Sequence, residues 1–147
     1  MIDSCGVSGG QLVGWNGKLY EKISQLSTRY IISVKLRERS TLLSFCVSSV
    51  YGSNDHSFKS FFLQDIRNIH AWCSSEPRVL TGNFNMIRFM HECQGCEGNI
   101  VDMESFNDLI RGLGFIYIPI RGRLVTWSNK RAMFAFAKFD RFLISDV

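Results

Sequence analysis

The 147 residues are 46% hydrophobic and 20% charged, a balance that suits one soluble domain or a large piece of one. No apolar run approaches the ~18 residues that mark a membrane span, and Met1 to Gly6 lacks the basic and apolar regions of a signal peptide. The net charge of +4 permits a nucleic-acid partner without requiring one.

Ser8-Gly9-Gly10 reads as a turn, Gln11 to Trp15 as a short strand, and Asn16-Gly17 as a hairpin signal. Thr28 to Leu36 is rich in β-formers, and Glu38-Arg39-Ser40 makes a polar turn. Thr41 to Tyr51 is apolar almost throughout, as a strand covered on both faces should be. Gly52 to Asp55 breaks it. The spacing of Phe58, Phe61, Phe62, Ile66, Ile69 and Trp72/Cys73 predicts a helix with one apolar stripe, capped by Asn54 or Asp55. Glu76-Pro77 leads into Val79-Leu80-Thr81-Gly82-Asn83-Phe84-Asn85. Arg78 to Thr81 reads as a buried strand that Gly82 ends in a tight turn. Period 2 puts Asn83 and Asn85 on one face, at the carboxyl end of the strand, with Phe84 turned into the core. Strand, helix, strand at this spacing argues for an α/β layered domain.

Arg88 to Asn99 reads as a loop. Asp102 is a candidate cap for a second helix with a stripe of Met103, Phe106, Leu109, Ile110 and Leu113, ended by Gly112 and Gly114. Phe115 to Ile120 and Leu124 to Trp127 read as strands joined by Arg121-Gly122-Arg123. Ser128 to Arg131 is a turn, Met133 to Phe139 alternates loosely, and Phe142 to Ile144 is a last strand. The stretch from Arg111 to Arg141 holds seven basic residues (Arg111, Arg121, Arg123, Lys130, Arg131, Lys138, Arg141) against one acid, Asp140. With Trp127 and several Phe it could follow a phosphate backbone, or be a solvated face over core aromatics.

Five Cys at positions 5, 46, 73, 93 and 96 form no framework spacing, which favours a reducing compartment, nucleus or cytoplasm, over secretion. Cys93-x-x-Cys96 near His91 suggests zinc, but a structural zinc needs four ligands and no second Cys pair exists; a polar loop with two free thiols is the plainer reading, and no metal site is assigned. No Gly-x-Ser-x-Gly elbow supports a serine hydrolase.

Val50-Tyr51-Gly52, Gly82-Asn83-Phe84-Asn85, Thr126-Trp127-Ser128-Asn129 and Phe139-Asp140-Arg141-Phe142-Leu143 come in the order and approximate spacing of one superfamily. The chain resembles the endonuclease/exonuclease/phosphatase superfamily, and within it the endonuclease region of plant LINE-type non-LTR retrotransposons. Gly9 to Trp15 matches that family's Gly-Gly-x-Leu-x-x-Trp segment. Glu92 and Gly95 sit where it often has Glu and Gly. The resemblance runs from about Asp3 to Val147 and implies a partial four-layer α-β-β-α sandwich, deoxyribonuclease-like, over residues 1–147.

The resemblance also implies site positions. The family motif is Gly-Asp-Phe-Asn, whose Asp deprotonates the attacking water; here Asn83 stands in its place. Asn85 matches the Asn that holds a phosphate oxygen, Tyr51 the active-site Tyr, Thr126 the hydroxyl of the Thr-Trp turn, and Asp140 the Asp of Leu-Asp-Arg. Arg121, Arg123, Lys130 and Arg131 are the candidates for nucleic-acid contact. The family's metal-binding Glu and its Ser-Asp-His motif have no match: Trp15-Asn16 lies in the later Gly-Gly strand, and Ser145-Asp146-Val147 has Val where His is needed. Mg²⁺ serves the intact family; no cofactor is expected in this chain. An amide takes no proton at neutral pH. The expected function is therefore a degenerate endonuclease-like domain without phosphodiesterase activity, bound at most weakly to DNA and to no membrane or small-molecule cofactor. The alternatives are a nucleic-acid-binding remnant and a Mg²⁺-dependent DNA endonuclease completed by flanking sequence. In each case Tyr51, Asn83, Asn85, Thr126 and Asp140 should converge on one cleft, with Arg141 nearby as a structural partner of carboxyls or carbonyls.

Overall fold

The computed structural model describes residues 10–73, 75–96, 98–122, 125–128 and 135–145. Its strands are β1 (Tyr20–Ser27), β2 (Ile31–Glu38), β3 (Ser44–Tyr51), β4 (Arg78–Asn83), β5 (Cys93–Gln94), β6 (Phe115–Ile118), β7 (Trp127–Ser128), β8 (Phe136–Ala137) and β9 (Asp140–Ser145). Helix α1 is Lys59–Cys73 and α2 is Ile100–Gly112. A six-stranded mixed sheet runs β1-β2-β3-β4-β9-β6, and a three-stranded sheet runs β5-β8-β7. This is an α+β fold. No helix among the described residues is long and apolar enough to cross a membrane.

Strand β3 pairs parallel with β4 across α1, as the strand-helix-strand spacing predicts. The stripe of α1 departs from expectation. Phe62, Leu63, Ile66, Ile69 and Cys73 are buried, but Phe61 is 62% exposed and Phe58 36%. Asp55 caps the 3-10 turn His56–Phe58 that leads into α1, its carboxylate accepting from Ser57 N at 2.9 Å. Helix α2 is capped by Asn99, not Asp102: the Asn99 Oδ1 accepts from Asp102 N at 3.1 Å. Both helices bury their stripes with Ile31, Cys46, Val50, Leu80 and Leu143, which alternate onto one face of the sheet.

The opposite face carries Ile32, Val34 and Leu36, packed with Val13, Phe45 and Val47. Toward β6 that face is open: Ile116, Ile118 and Phe142 are 46%, 42% and 46% exposed. Strand β3 is thus not sealed on both sides by helices; its residues alternate between buried and half-buried. Residues 28–36 and 41–51 were expected as strands slightly out of frame, because Thr28 and Leu42 belong to turns. Thr28 Oγ1 accepts from the Tyr30 and Ile31 amides, and Leu42 has φ 61°.

Several other expectations change. Only Gln11 of the Gln11 to Trp15 stretch makes a β-bridge. Strand β1 was not anticipated: it is an edge strand carrying Glu21 and Lys22, and a register shift between Lys22 and Ser24 breaks its alternation. Residues 88–99 hold β5 and a 3-10 turn, Met90–Glu92, rather than loop alone. The expected turn at Asn129 to Arg131 lies outside the described residues.

Gly82 does not end its strand. It lies within β4 at φ 135°, opposite Val50, where a Cβ would stand 2.2 Å from the Val50 carbonyl oxygen. Gly82→Ala should destabilise the fold by about 3 kcal/mol through backbone strain and collision with β3. Urea denaturation followed by circular dichroism measures this; an unchanged midpoint would contradict the close approach.

Candidate functional site

A cleft of about 1020 Å³ opens at the carboxyl ends of β3 and β4. Tyr51 is the last residue of β3 and pairs in register with Asn83, the last of β4. Asn83 pairs in turn with Asp140, the first residue of β9. Three of the five predicted positions are thus neighbours across three adjacent strands. Thr126 joins them from the segment before β7: its hydroxyl accepts from the Phe139 and Asp140 amides, each at 3.0 Å. Asn85 completes the set at φ 50°, a conformation Asn tolerates well. Its amide N donates to Asn83 Oδ1 at 2.8 Å, and its Nδ2 donates to the Gly52 carbonyl at 2.6 Å. Phe84 between them is fully buried.

Tyr51, Asn83 and Asn85 line the cleft directly, as do Trp127 and Phe139; Thr126 and Asp140, expected in the same cleft, adjoin these residues in sequence and do not line it. Arg121 is exposed and does not line the cleft. Arg123, Lys130 and Arg131 lie outside the described residues.

Two features of the cleft went unread in the sequence. Lys59, in the first turn of α1, is 8% exposed and donates to the carbonyls of Ser53, at 3.1 Å, and Asn85. It ties the turn after β3 to the turn after β4. Burial lowers its pKa from the ordinary 10.5, while the Asp102 and Asp55 charges work the other way. His56 Nδ1 and Asp102 Oδ2 are 2.8 Å apart, with Asn99 Nδ2 3.3 Å from the same nitrogen. All three residues line the cleft. His56 carried no sequence signal because its partner is 46 residues away.

Arg141 is 1% exposed and forks onto Glu92, Nη1 to Oε1 at 3.1 Å and Nη2 to Oε2 at 2.5 Å. It also donates to the carbonyls of Met86 and Lys138, and Glu92 accepts from Arg88 N at 2.7 Å. This is the structural partnership expected of Arg141. Burial raises the Glu92 pKa, but hydrogen bonds from Arg141 and the Arg88 amide, with the Arg141 and Lys138 charges, outweigh it and hold the carboxyl below 4.5.

Cys93 and Cys96 also line the cleft, their Cα atoms 6.0 Å apart. Among the described residues no group of three or more His, Cys, Asp or Glu could hold a metal ion. Beside Asn83 the sheet offers one carboxylate, Asp140. Mg²⁺ is held by one or two carboxylates together with waters and phosphate oxygens, so Asp140 is the one group beside Asn83 that could serve the Mg²⁺ the family resemblance implies.

The mixed sheets with helices form an α+β fold that matches deoxyribonuclease-like solved structures. Solved structures with this fold include the endonuclease domain of TRAS1, a telomere-specific non-LTR retrotransposon (TM-score 0.72, 16% identity, covering 90% of this chain and 58% of that one). The human nocturnin catalytic domain matches with a TM-score of 0.57 at 13% identity, covering 88% of this chain and 50% of its own. An endonuclease/exonuclease/phosphatase family protein from Bacteroides thetaiotaomicron matches at 0.61 and 8% identity, covering 90% and 53%. The chain thus spans between half and three-fifths of these structures. No family model matches the sequence, and no curated protein does.

Glu92→Gln should cost about 3–5 kcal/mol, because it leaves the Arg141 guanidinium buried without a counter-charge. Glu92 has a folded pKa below its unfolded value, so its contribution is complete above about pH 4.5 and is lost as pH falls through the folded value. Thermal melts between about pH 6 and pH 3 should show an acid-dependent loss in the wild type that is smaller in Glu92→Gln. Parallel curves for the two proteins would remove the pair from the stability of the site.

Proposed function

We propose that the chain is a retrotransposon-type endonuclease-like domain, of the LINE kind, whose cleft receives a nucleic-acid phosphodiester but does not hydrolyse it on its own. The observation that carries this reading is Asn83. It stands at the tip of β4, between Tyr51 and Asp140, and the resemblance of Gly82-Asn83-Phe84-Asn85 to the family motif implies a proton-accepting Asp at that position. A carboxamide there cannot take the proton of an attacking water. Loss of a general base costs ~10²–10⁴ in rate. With a single carboxylate beside Asn83 and no metal-binding group of three among the described residues, little chemistry is left to the site. The resemblance to the TRAS1 endonuclease domain supports DNA as the ligand. Tyr51, Asn85 and Trp127 are the side chains placed to meet it, and Arg29 and the buried Lys59 supply positive charge along the same cleft.

A second reading is favoured by the match covering only 58% of the TRAS1 domain. Sequence flanking this chain would then supply the metal-binding and acid groups of a Mg²⁺-dependent DNA endonuclease, and Asn83 would remain its weak point.

Plasmid relaxation with Mg²⁺ and an EDTA control separates these readings. The chain should not nick supercoiled plasmid, and Asn83→Asp alone should not either. Asn83→Asp in a chain extended with the family's metal-Glu segment and Ser-Asp-His tail should nick. Metal-dependent nicking by the unmodified chain would overturn the proposal. Binding of a labelled DNA should weaken steeply between about 50 and 200 mM salt.

A further inference from the structure

Resting on the reading of the cleft as a phosphodiester site, we infer that the exposed face formed by Arg29, Phe58, Phe61 and Asp65 holds an unpaired nucleobase of the strand whose backbone enters the cleft. Phe58 and Phe61 were expected in the core, yet they lie outside it, with ring centroids 6.4 Å apart. Arg29 reaches across from the turn between β1 and β2. Its guanidinium lies 5.2 Å from the centre of the Phe58 ring and 5.6 Å from that of Tyr30. With Thr28 and Asp65 these residues wall a depression of about 330 Å³.

The depression continues the cleft, because Arg29 and Tyr30 line both. A strand with a phosphate in the cleft would bring its next base over this face. The chemistry suits that base. Aromatic rings stack on any nucleobase, an arginine adds cation–π attraction and meets the adjoining phosphate, and a carboxylate accepts from a base N–H. The Asp65 carboxylate makes no hydrogen bond or ion pair to another described residue, and Asp65 follows Phe61 by one helical turn, on the same side of α1. A base still paired in a duplex presents no free ring face, so the surface selects single-stranded or frayed nucleic acid.

The test is fluorescence anisotropy of a labelled 12-nucleotide single-stranded DNA and of its blunt duplex against the full chain. The single strand should bind more tightly. Phe61→Ala should weaken single-strand binding about tenfold with little change for the duplex. Because Phe61 is 62% exposed, its melting curve should be unaltered. Phe61→Trp should keep the affinity, and the indole fluorescence should be quenched by the bound strand. Equal single-strand binding by wild type and Phe61→Ala overturns the base site while leaving the phosphodiester reading intact. Failure of the wild type to bind either DNA overturns both. A change of oligomeric state in Phe61→Ala with unchanged affinity assigns the face to a second copy of the chain and overturns the inference.

Discussion

The ion pair between Arg141 and Glu92 is the constraint on which the cleft depends. Arg141 follows Asp140 at the start of β9, and Glu92 lies seven residues beyond Asn85, so one buried contact joins the two segments that frame the cleft. A guanidinium taken fully out of water must find partners for its N–H groups. Glu92 Oε1 accepts from Nη1, while Glu92 Oε2 and the carbonyls of Met86 and Lys138 share Nη2; Nε has no partner among the described residues. The Phe106 and Tyr117 rings, 5.8 and 5.7 Å from its central carbon, close the remaining space with π-faces that favour a cation. Such a site fixes geometry more than it adds stability, because most of the attraction is offset by desolvation.

Close backbone approach is the second constraint. Strands β3 and β4 run parallel, and the Val50 carbonyl occupies the space a side chain at position 82 would need. One step on, a Cβ at Gly52 would stand 2.4 Å from the Phe84 carbonyl oxygen. Two glycines at the crossing of two strand ends let Tyr51 and Asn83 stand side by side. Lys59 then pulls the two following turns together from below.

Much of this was legible in the sequence. The helices, the strand from Arg78 and the burial of Phe84 between two half-buried amides followed from periodicity. Of the positions named from the ordered motifs, the strand register sets Tyr51, Asn83 and Asp140 side by side, while Asn85 and Thr126 reach them through hydrogen bonds from outside the strands. What was not legible depended on long-range partners. Strand β1 is polar and bulged, and only its pairing to β2 makes it a strand. The helical stripe could not tell Phe61 from Phe62, because one residue is 100° of rotation and the core covers only part of the helix. The bond between His56 and Asp102 needs α1 and α2 already packed. Gly82 read as a turn because a glycine after an apolar run usually is one; here it is needed for a neighbour's carbonyl.

Asn83 shows that the shape of the cleft and the proton chemistry at its centre ask different things of one side chain. Its Oδ1 accepts from the Asn85 amide, closing the turn that carries Asn85 in its positive-φ conformation. That bond requires only an acceptor oxygen, which Asp and Asn both offer. Taking a proton from water requires a carboxylate, which only Asp offers. Replacing one oxygen by NH₂ therefore leaves the turn, the strand register and the packing of Phe84 untouched, while removing the base. The architecture of the cleft is held by Arg141, Lys59, Gly82 and Gly52, none of which depends on the charge at position 83. Folding and general-base catalysis thus place separable demands on the same side chain, and the hydrogen bond that Asn83 makes to the Asn85 amide meets the first.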